Sequence, residues 1–278
     1  MTSAKINDWV IGQRDRLVWI EFDPYAHKIF AGAASDWHSS ATVFVNGIGQ
    51  ALGVVKTDVL SIDLIAPYVG EVEFDGAKPA QAIEDMLQLE GPRKFTEQVI
   101  DALAHRFADQ LDLVLKIPSP AQMYRLAGCG EPPSFDDLDD VGIGLSNLLR
   151  EFSSKTVAGV LVSTSEMVST DEAEALESVI GAAQHYAWRV ALSLDSPTTL
   201  PAEFPAVDCD VFLLPNVAAE HFIDHDQSVV KIGGALSPRY WQDESIAVAG
   251  SACPVLYGKI PSDAHPELVV KRVAALRA

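Results

Sequence analysis

The 278-residue chain predicts a single-domain (β/α)8 barrel of the TIM type, covering residues 1–278. Three observations carry this. Eight short runs rich in Val, Leu and Ile recur along the chain, each short enough for a strand and ending in or near a polar or turn residue. They are almost continuously apolar rather than alternating, as parallel strands buried on both faces require. Between several of them lie stretches whose apolar residues fall three and four apart, the spacing of a helix face. Strands alternating with helices over this length suit an eight-stranded barrel, with an open doubly wound sheet as the alternative.

In chain order, the first run is 17–23 (LVWIEFD), and a helix is expected over 35–52 from Trp37, Ala41, Phe44, Val45, Ile48 and Leu52. The second run, 59–66 (VLSIDLIA), is followed by helical patterns over 79–89 and 96–111. The third, 111–118 (LDLVLKIP), leads into a segment rich in Gly, Pro and Asp, 128–140, which reads as an excursion over a barrel face and a candidate lid. The fourth, 159–165 (GVLVSTS), precedes Ser169-Thr170-Asp171-Glu172, a capping-box start for a helix over 171–186. The remaining runs are 189–195 (RVALSLD), 210–215 (DVFLLP), 229–233 (VVKIG) and 254–260 (PVLYGKI), and a helix over 265–276 follows the last.

Composition narrows the function classes. There are 39 acidic against 20 basic side chains, a formal net charge of -19. Such a surface repels nucleic acid and anionic membranes, whose affinity comes from Lys and Arg contacts. No segment approaches the ~20 apolar residues needed to span a bilayer, and the first residues lack the pattern of a secretory signal. Cys129, Cys209 and Cys253 are widely spaced with no CxxC pair, so neither a disulfide framework nor a cysteine-rich zinc site is indicated. A cytoplasmic enzyme of a small-molecule substrate is expected, alone or as a homo-oligomer.

In a barrel the chemistry sits at the C-terminal strand ends. That places Glu21, Asp23, Tyr25 and His27 after the first strand, Asp63 on the second, and Lys116 and Ser119 on the third. Ser163, Ser165 and Glu166 follow on the fourth, Ser193 and Asp195 on the fifth, then Asn216, Lys231 and the pair Tyr257 and Lys259. Glu21 and Asp23, two apart on a strand, would share a face as an acid and base pair, unless they serve backbone amides or a lysine. Glu166 and Asp195 are proton-transfer or substrate-positioning candidates. Lys116, Lys231 and Lys259 interrupt apolar strands, as ion-pair partners of these carboxylates or, with a lowered pKa, as imine-forming nucleophiles. Tyr25, His27, Asp63, Ser119, Ser193, Asn216, Lys231 and Tyr257 are candidate substrate contacts. The segment Glu220 to Asp226 holds His221 and His225 at helical spacing and tests as a metal site against a plain polar loop. No GxSxG, GxGxxG or GxxxxGK[ST] motif is present, and no cofactor is expected.

The segments Lys116-Ile117-Pro118-Ser119-Pro120 and Ser163-Thr164-Ser165-Glu166, followed by WRVALSLD from Trp188 to Asp195, give the chain a further resemblance. Their order resembles that of the superfamily of uroporphyrinogen decarboxylase and cobalamin-independent methionine synthase, over roughly residues 111–260. The resemblance implies a (β/α)8 barrel and methyl transfer or related carbon chemistry, which many members carry out with zinc. The zinc enzymes have a His-x-Cys pair on the fifth strand and a later Cys. The counterpart here is Ser193-Leu194-Asp195, with Cys253 near the later thiolate, so the usual zinc-ligand motif is absent. The arginine-rich opening of the decarboxylase is also missing. A lysine-imine lyase or aldolase is the second enzyme reading, and a non-catalytic barrel subunit partnering a methyl-carrier protein is the third.

Overall fold

The computed structural model describes residues 4–31, 37–69, 79–108, 110–128, 131–223, 230–246 and 253–277. Eight strands close in sequence order into one parallel barrel, the (β/α)8 fold. They are β1 (Leu17–Glu21), β2 (Val59–Asp63), β3 (Asp112–Pro118), β4 (Gly159–Thr164), β5 (Arg189–Leu194), β6 (Val211–Ala218), β7 (Ile232–Ala235) and β8 (Val255–Lys259).

The helices are α1 (Lys5–Val10), α2 (Asp23–Ala26), α3 (Ala41–Val54), α4 (Ala66–Val69), α5 (Pro79–Leu87), α6 (Glu90–Phe107), α7 (Pro120–Leu126), α8 (Phe135–Glu151), α9 (Thr170–Ala175), α10 (Glu177–His185), α11 (Pro238–Gln242) and α12 (Pro266–Arg277). Among the described residues, no helix is long and apolar enough to cross a membrane.

The period-two alternation of each strand sorts its side chains into two layers. Val18, Ile20, Leu60, Ile62, Leu115, Val160, Val162, Leu192 and Leu256 face outward and join the helices in the larger core. Leu17, Trp19, Val59, Val114, Leu161, Ala191, Val211, Leu213, Val255 and Tyr257 fill the interior, where they meet Ile6 and Trp9 of α1. Helix α1 therefore plugs the N-terminal end. It is tied there by Asp112, which accepts from Ile6 N–H at 2.7 Å, and by Arg189, whose Nε and Nη2 donate to Asn7 Oδ1.

Several expected elements move. The chain over 135–140 is no surface excursion: Ser134 and Asp137 form a reciprocal capping box that starts α8, and Leu138 and Val141 bury one face of it. Residues 129 and 130 of that segment lie outside the described residues. The expected helix over 35–52 begins only at Ala41, with Ser40 as its cap, which leaves Trp37 in a preceding turn. The helix over 171–186 is two helices that break at Leu176. Ser169 caps the first of them, but the Glu172 carboxylate accepts from Ala121 N–H at 3.1 Å.

Candidate functional site

The interior-facing residues change character along the strands. β1 reads Leu17, Trp19, Glu21; β2 reads Val59, Ser61, Asp63; β8 reads Val255, Tyr257, Lys259. In neighbouring register stand Lys116 on β3, Ser163 on β4 and Ser193 on β5. The barrel is apolar from its plugged end upward and ionic at its C-terminal mouth.

At that mouth a continuous polar chain crosses the barrel. Lys116 Nζ donates to Glu21 Oε2 at 2.7 Å and stands 3.9 Å from Asp63 Oδ2. Tyr257 Oη donates to the other Glu21 oxygen, and lies 3.2 Å from Ser193 Oγ. Ser193 donates to Asp195 Oδ1 at 3.0 Å, and Lys259 Nζ holds both Asp195 oxygens, at 2.9 and 2.7 Å. The Asn216 side-chain amide donates to the Asp195 carbonyl. Two hydroxyl protons thus serve three oxygen–oxygen contacts between Glu21 and Asp195. The two hydroxyls thereby couple the Glu21 and Asp195 carboxylates through one hydrogen-bonded chain.

Electrostatics set the resting protonation. Burial alone would raise the Glu21 pKa, but the charges of Lys116 and Lys259 and hydrogen bonds from Lys116 and Tyr257 bring it down to about 2. Burial alone would lower that of Lys116, yet Glu21 and Asp63 raise it above the usual lysine value. Burial, with Glu21 and Asp195 nearby, raises Tyr257 well above the ordinary phenol. Glu21 is therefore an anion, and Lys116 an ammonium without a free lone pair.

Above this floor opens a cleft of about 420 Å³ bordered by His38, Asp63, Lys116, Gln122, Ser163, Asp195 and Lys259 among others. It is large enough for a small organic molecule. Hydroxyls, an amide, ammonium groups and carboxylates line it, so it can hold a polar ligand at several points.

The structure assembles Glu21, Asp63, Lys116, Ser193, Asp195, Asn216 and Tyr257. It does not pair Glu21 with Asp23 on one strand face. β1 ends at Glu21, and Asp23 starts α2, where it accepts from Trp37 Nε1 at 2.7 Å. The two carboxylates border a recess of about 80 Å³ but have different partners. Tyr25 is 1% exposed in the outer core, and His27 stacks on Trp37. Ser119 is buried as the cap of α7, its oxygen accepting from Gln122 N–H. Glu166 stands exposed at the rim, paired with Arg125 at 3.1 Å.

Lys231 lies at the opposite end, because β7 begins one residue after it. Its ammonium donates to the Val10 carbonyl of α1 and stands 5.4 Å from the Trp9 ring centre. It therefore does not reach the cleft as a substrate contact or imine nucleophile. Sequence reasoning passed over His38 and Gln122. The Ser40 cap was the signal that could have moved the helix start past His38.

The zinc that the sequence resemblance implies does not fit these residues. The fifth strand supplies Ser193 and Asp195, already committed to Tyr257 and Lys259. Cys253 precedes β8 at the plugged end, donates to the Val255 carbonyl at 3.1 Å, and burial pushes its thiol up to about 12. Among the described residues, no group of three or more His, Cys, Asp and Glu side chains is placed to hold a metal ion. Of the Glu220 to Asp226 segment, His225 lies outside the described residues.

No family model and no curated sequence matches the chain. Solved structures do. The homocysteine methyltransferase MmuM from Escherichia coli, in its metallated form, is 15% identical with a TM-score of 0.52, over 97% of this chain and 99% of that one. The carboxyl transferase domain of Rhizobium etli pyruvate carboxylase is 8% identical with a TM-score of 0.51, over 99% of this chain and 49% of that one. A GH20 catalytic module of the pneumococcal exo-beta-D-N-acetylglucosaminidase StrH is 8% identical with a TM-score of 0.50, over 96% of this chain and 83% of that one. At these identities the likeness is one of fold.

Proposed function

We propose that the protein is an enzyme acting on a small, polar organic substrate by group transfer or carbon chemistry, at the C-terminal mouth of the barrel. The observation that carries this reading is the chain Lys259–Asp195–Ser193–Tyr257–Glu21–Lys116, which joins two lysine–carboxylate pairs beneath a cleft of about 420 Å³. Charged groups held this way need no reorganisation when charge develops on a substrate, which is the main source of electrostatic catalysis.

In this reading Lys116 and Lys259 stabilise negative charge on the substrate, and Ser163 and Gln122 orient it. Tyr257 and Ser193 hold the two lysine–carboxylate pairs together beneath it. The fold it shares with the E. coli homocysteine methyltransferase is compatible with methyl transfer, but through this ionic network rather than a thiolate metal centre. The imine reading is disfavoured: Lys116 is held protonated and Lys231 lies at the far end.

The test is a screen of small organic acids, amines and thioethers in deuterated water, followed by proton NMR for exchange or turnover. A substrate should emerge whose conversion falls at least ~100-fold, about the cost of one lost charge-stabilising donor, in Lys259→Met. Turnover unchanged in Lys259→Met and in Glu21→Gln would overturn the site.

A further inference from the structure

The floor of the cleft lacks a group suited to exchanging protons near neutral pH. Glu21 is fixed as an anion by its partners, and Asp195 is bound through both oxygens by Lys259. Histidine is the side chain whose ordinary pKa falls in that range. Among the described residues, one histidine borders the cleft, His38, in the turn before α3.

Its surroundings are built rather than incidental. Nε2 of His38 lies 3.4 Å from Asp23 Oδ2, and the other Asp23 oxygen accepts from Trp37 Nε1 at 2.7 Å. Trp37 is 2% exposed, stacks on His27 at 5.0 Å and 13°, and packs against Phe44 with ring centres 4.9 Å apart. Its ring also fills the space beside Gly47, where an added Cβ would come within 2.4 Å of it. A packed indole therefore fixes the carboxylate, and the carboxylate faces the imidazole.

We propose that His38 is the acid–base residue of the cleft and Asp23 its positioning residue, with Trp37 clamping Asp23. This rests on the enzymatic reading above. With the proton on Nε2 directed at Asp23, Nδ1 keeps a lone pair. In the step it takes a proton from a C–H or X–H of the substrate: the N–H bond forms as the substrate bond breaks. The electron pair stays on the substrate, opposite the Lys116 and Lys259 ammonium groups. The imidazolium, faced by Asp23, then returns the proton to the product. The other titratable groups around His38 are His27, with ring centres 6.4 Å apart, and Asp63, Lys116, Asp195 and Lys259, which border the same cleft.

The experiment is NMR of the full-length protein labelled with ¹⁵N-histidine, the His38 signals being identified by their loss in His38→Gln. The neutral ring should carry its proton on Nε2. Asp23→Asn should move the neutral proton to Nδ1, because an amide N–H then faces Nε2. With a substrate from the screen, His38→Gln should lower kcat with KM nearly unchanged. Asp23→Asn should lower kcat less than His38→Gln does, because the imidazole remains but is no longer oriented. A neutral ring protonated on Nδ1 in the parent, or a tautomer indifferent to Asp23→Asn, overturns the dyad. Full activity in His38→Gln overturns its catalytic role. No turnover by the parent with any compound sinks the enzymatic reading and that role with it, while the tautomer still decides the dyad.

Discussion

Replacing Lys116 with Met should destabilise the protein more at pH 7 than at pH 4. The side chain of Glu21 is only 9% exposed and its pKa falls from 4.5 to about 2, burial being outweighed by the lysines and by Tyr257. That depression amounts to about 3 kcal/mol of stability, at ~1.4 kcal/mol per unit. Because the folded pKa is the lower one, this stability is present above pH 4.5 and is lost as the pH falls towards 2. Without Lys116, Glu21 stays buried with only Lys259 and Tyr257 to offset its desolvation. The expected loss at pH 7 is therefore at least ~3 kcal/mol, the scale for breaking a buried pair from one side. At pH 4 the unfolded carboxylate is largely protonated and the buried one can take up a proton, so the loss should shrink. The assay is urea unfolding of parent and variant at both pH values, followed by tryptophan fluorescence. Glu21→Gln combined with Lys116→Met should recover much of the loss, since no lone charge is then left buried. Equal destabilisation at the two pH values, with no recovery in the double variant, would refute the reasoning.

Trp9→Ala removes the largest side chain of the α1 plug, 7% exposed against the barrel interior, and should cost about 3–5 kcal/mol by urea unfolding. Lys231→Ala should leave turnover and borohydride labelling of the cleft unchanged, because its ammonium is bound to Val10 at the other end; labelling that depended on Lys231 would contradict this placement. Cys253, 1% exposed with its thiol near 12, should resist iodoacetamide at pH 8 until urea unfolds the protein. Gly258→Ala should abolish soluble expression or lower the melting temperature sharply, since its Cβ would fall 2.1 Å from the Leu236 carbonyl oxygen; a normal melting temperature would show that this loop can retreat.

Much of the barrel was legible because parallel strands buried on both faces write themselves as apolar runs. All eight runs coincide with or overlap a strand, most within a residue or two. What was not legible follows from the same physics. In β7, the apolar run begins before the strand, so Val230 and Lys231 looked like strand residues although pairing starts at Ile232. α8 was hidden because Gly128 to Asp140 carries turn-forming residues. The helix signal, Ser134 with Asp137, uses a short Asp at the position where a Glu is usually sought.

The ionic mouth was legible for a different reason, which also accounts for one of its errors. Inward residues recur every second position, so an ionisable side chain two beyond a buried apolar one must face the mouth if the strand continues. Lys116 after Val114, Lys259 after Tyr257 and Glu21 after Trp19 obey this, and each finds an oppositely charged partner at the mouth. The same rule failed for Asp23 because Pro24 follows it. A proline at the second helical position favours a helix start, and Asp23 left the strand to begin α2. Its carboxylate was thereby freed from the floor and delivered to Trp37 and His38. The break in periodicity after Glu21 is thus what separates a fixed, lysine-bound carboxylate from one that can orient an imidazole. Restoring the strand by replacing Pro24 with Val should weaken the Asp23–His38 contact and move the neutral His38 proton from Nε2 to Nδ1, whereas an unchanged tautomer would show that the turn, not the proline, sets the separation.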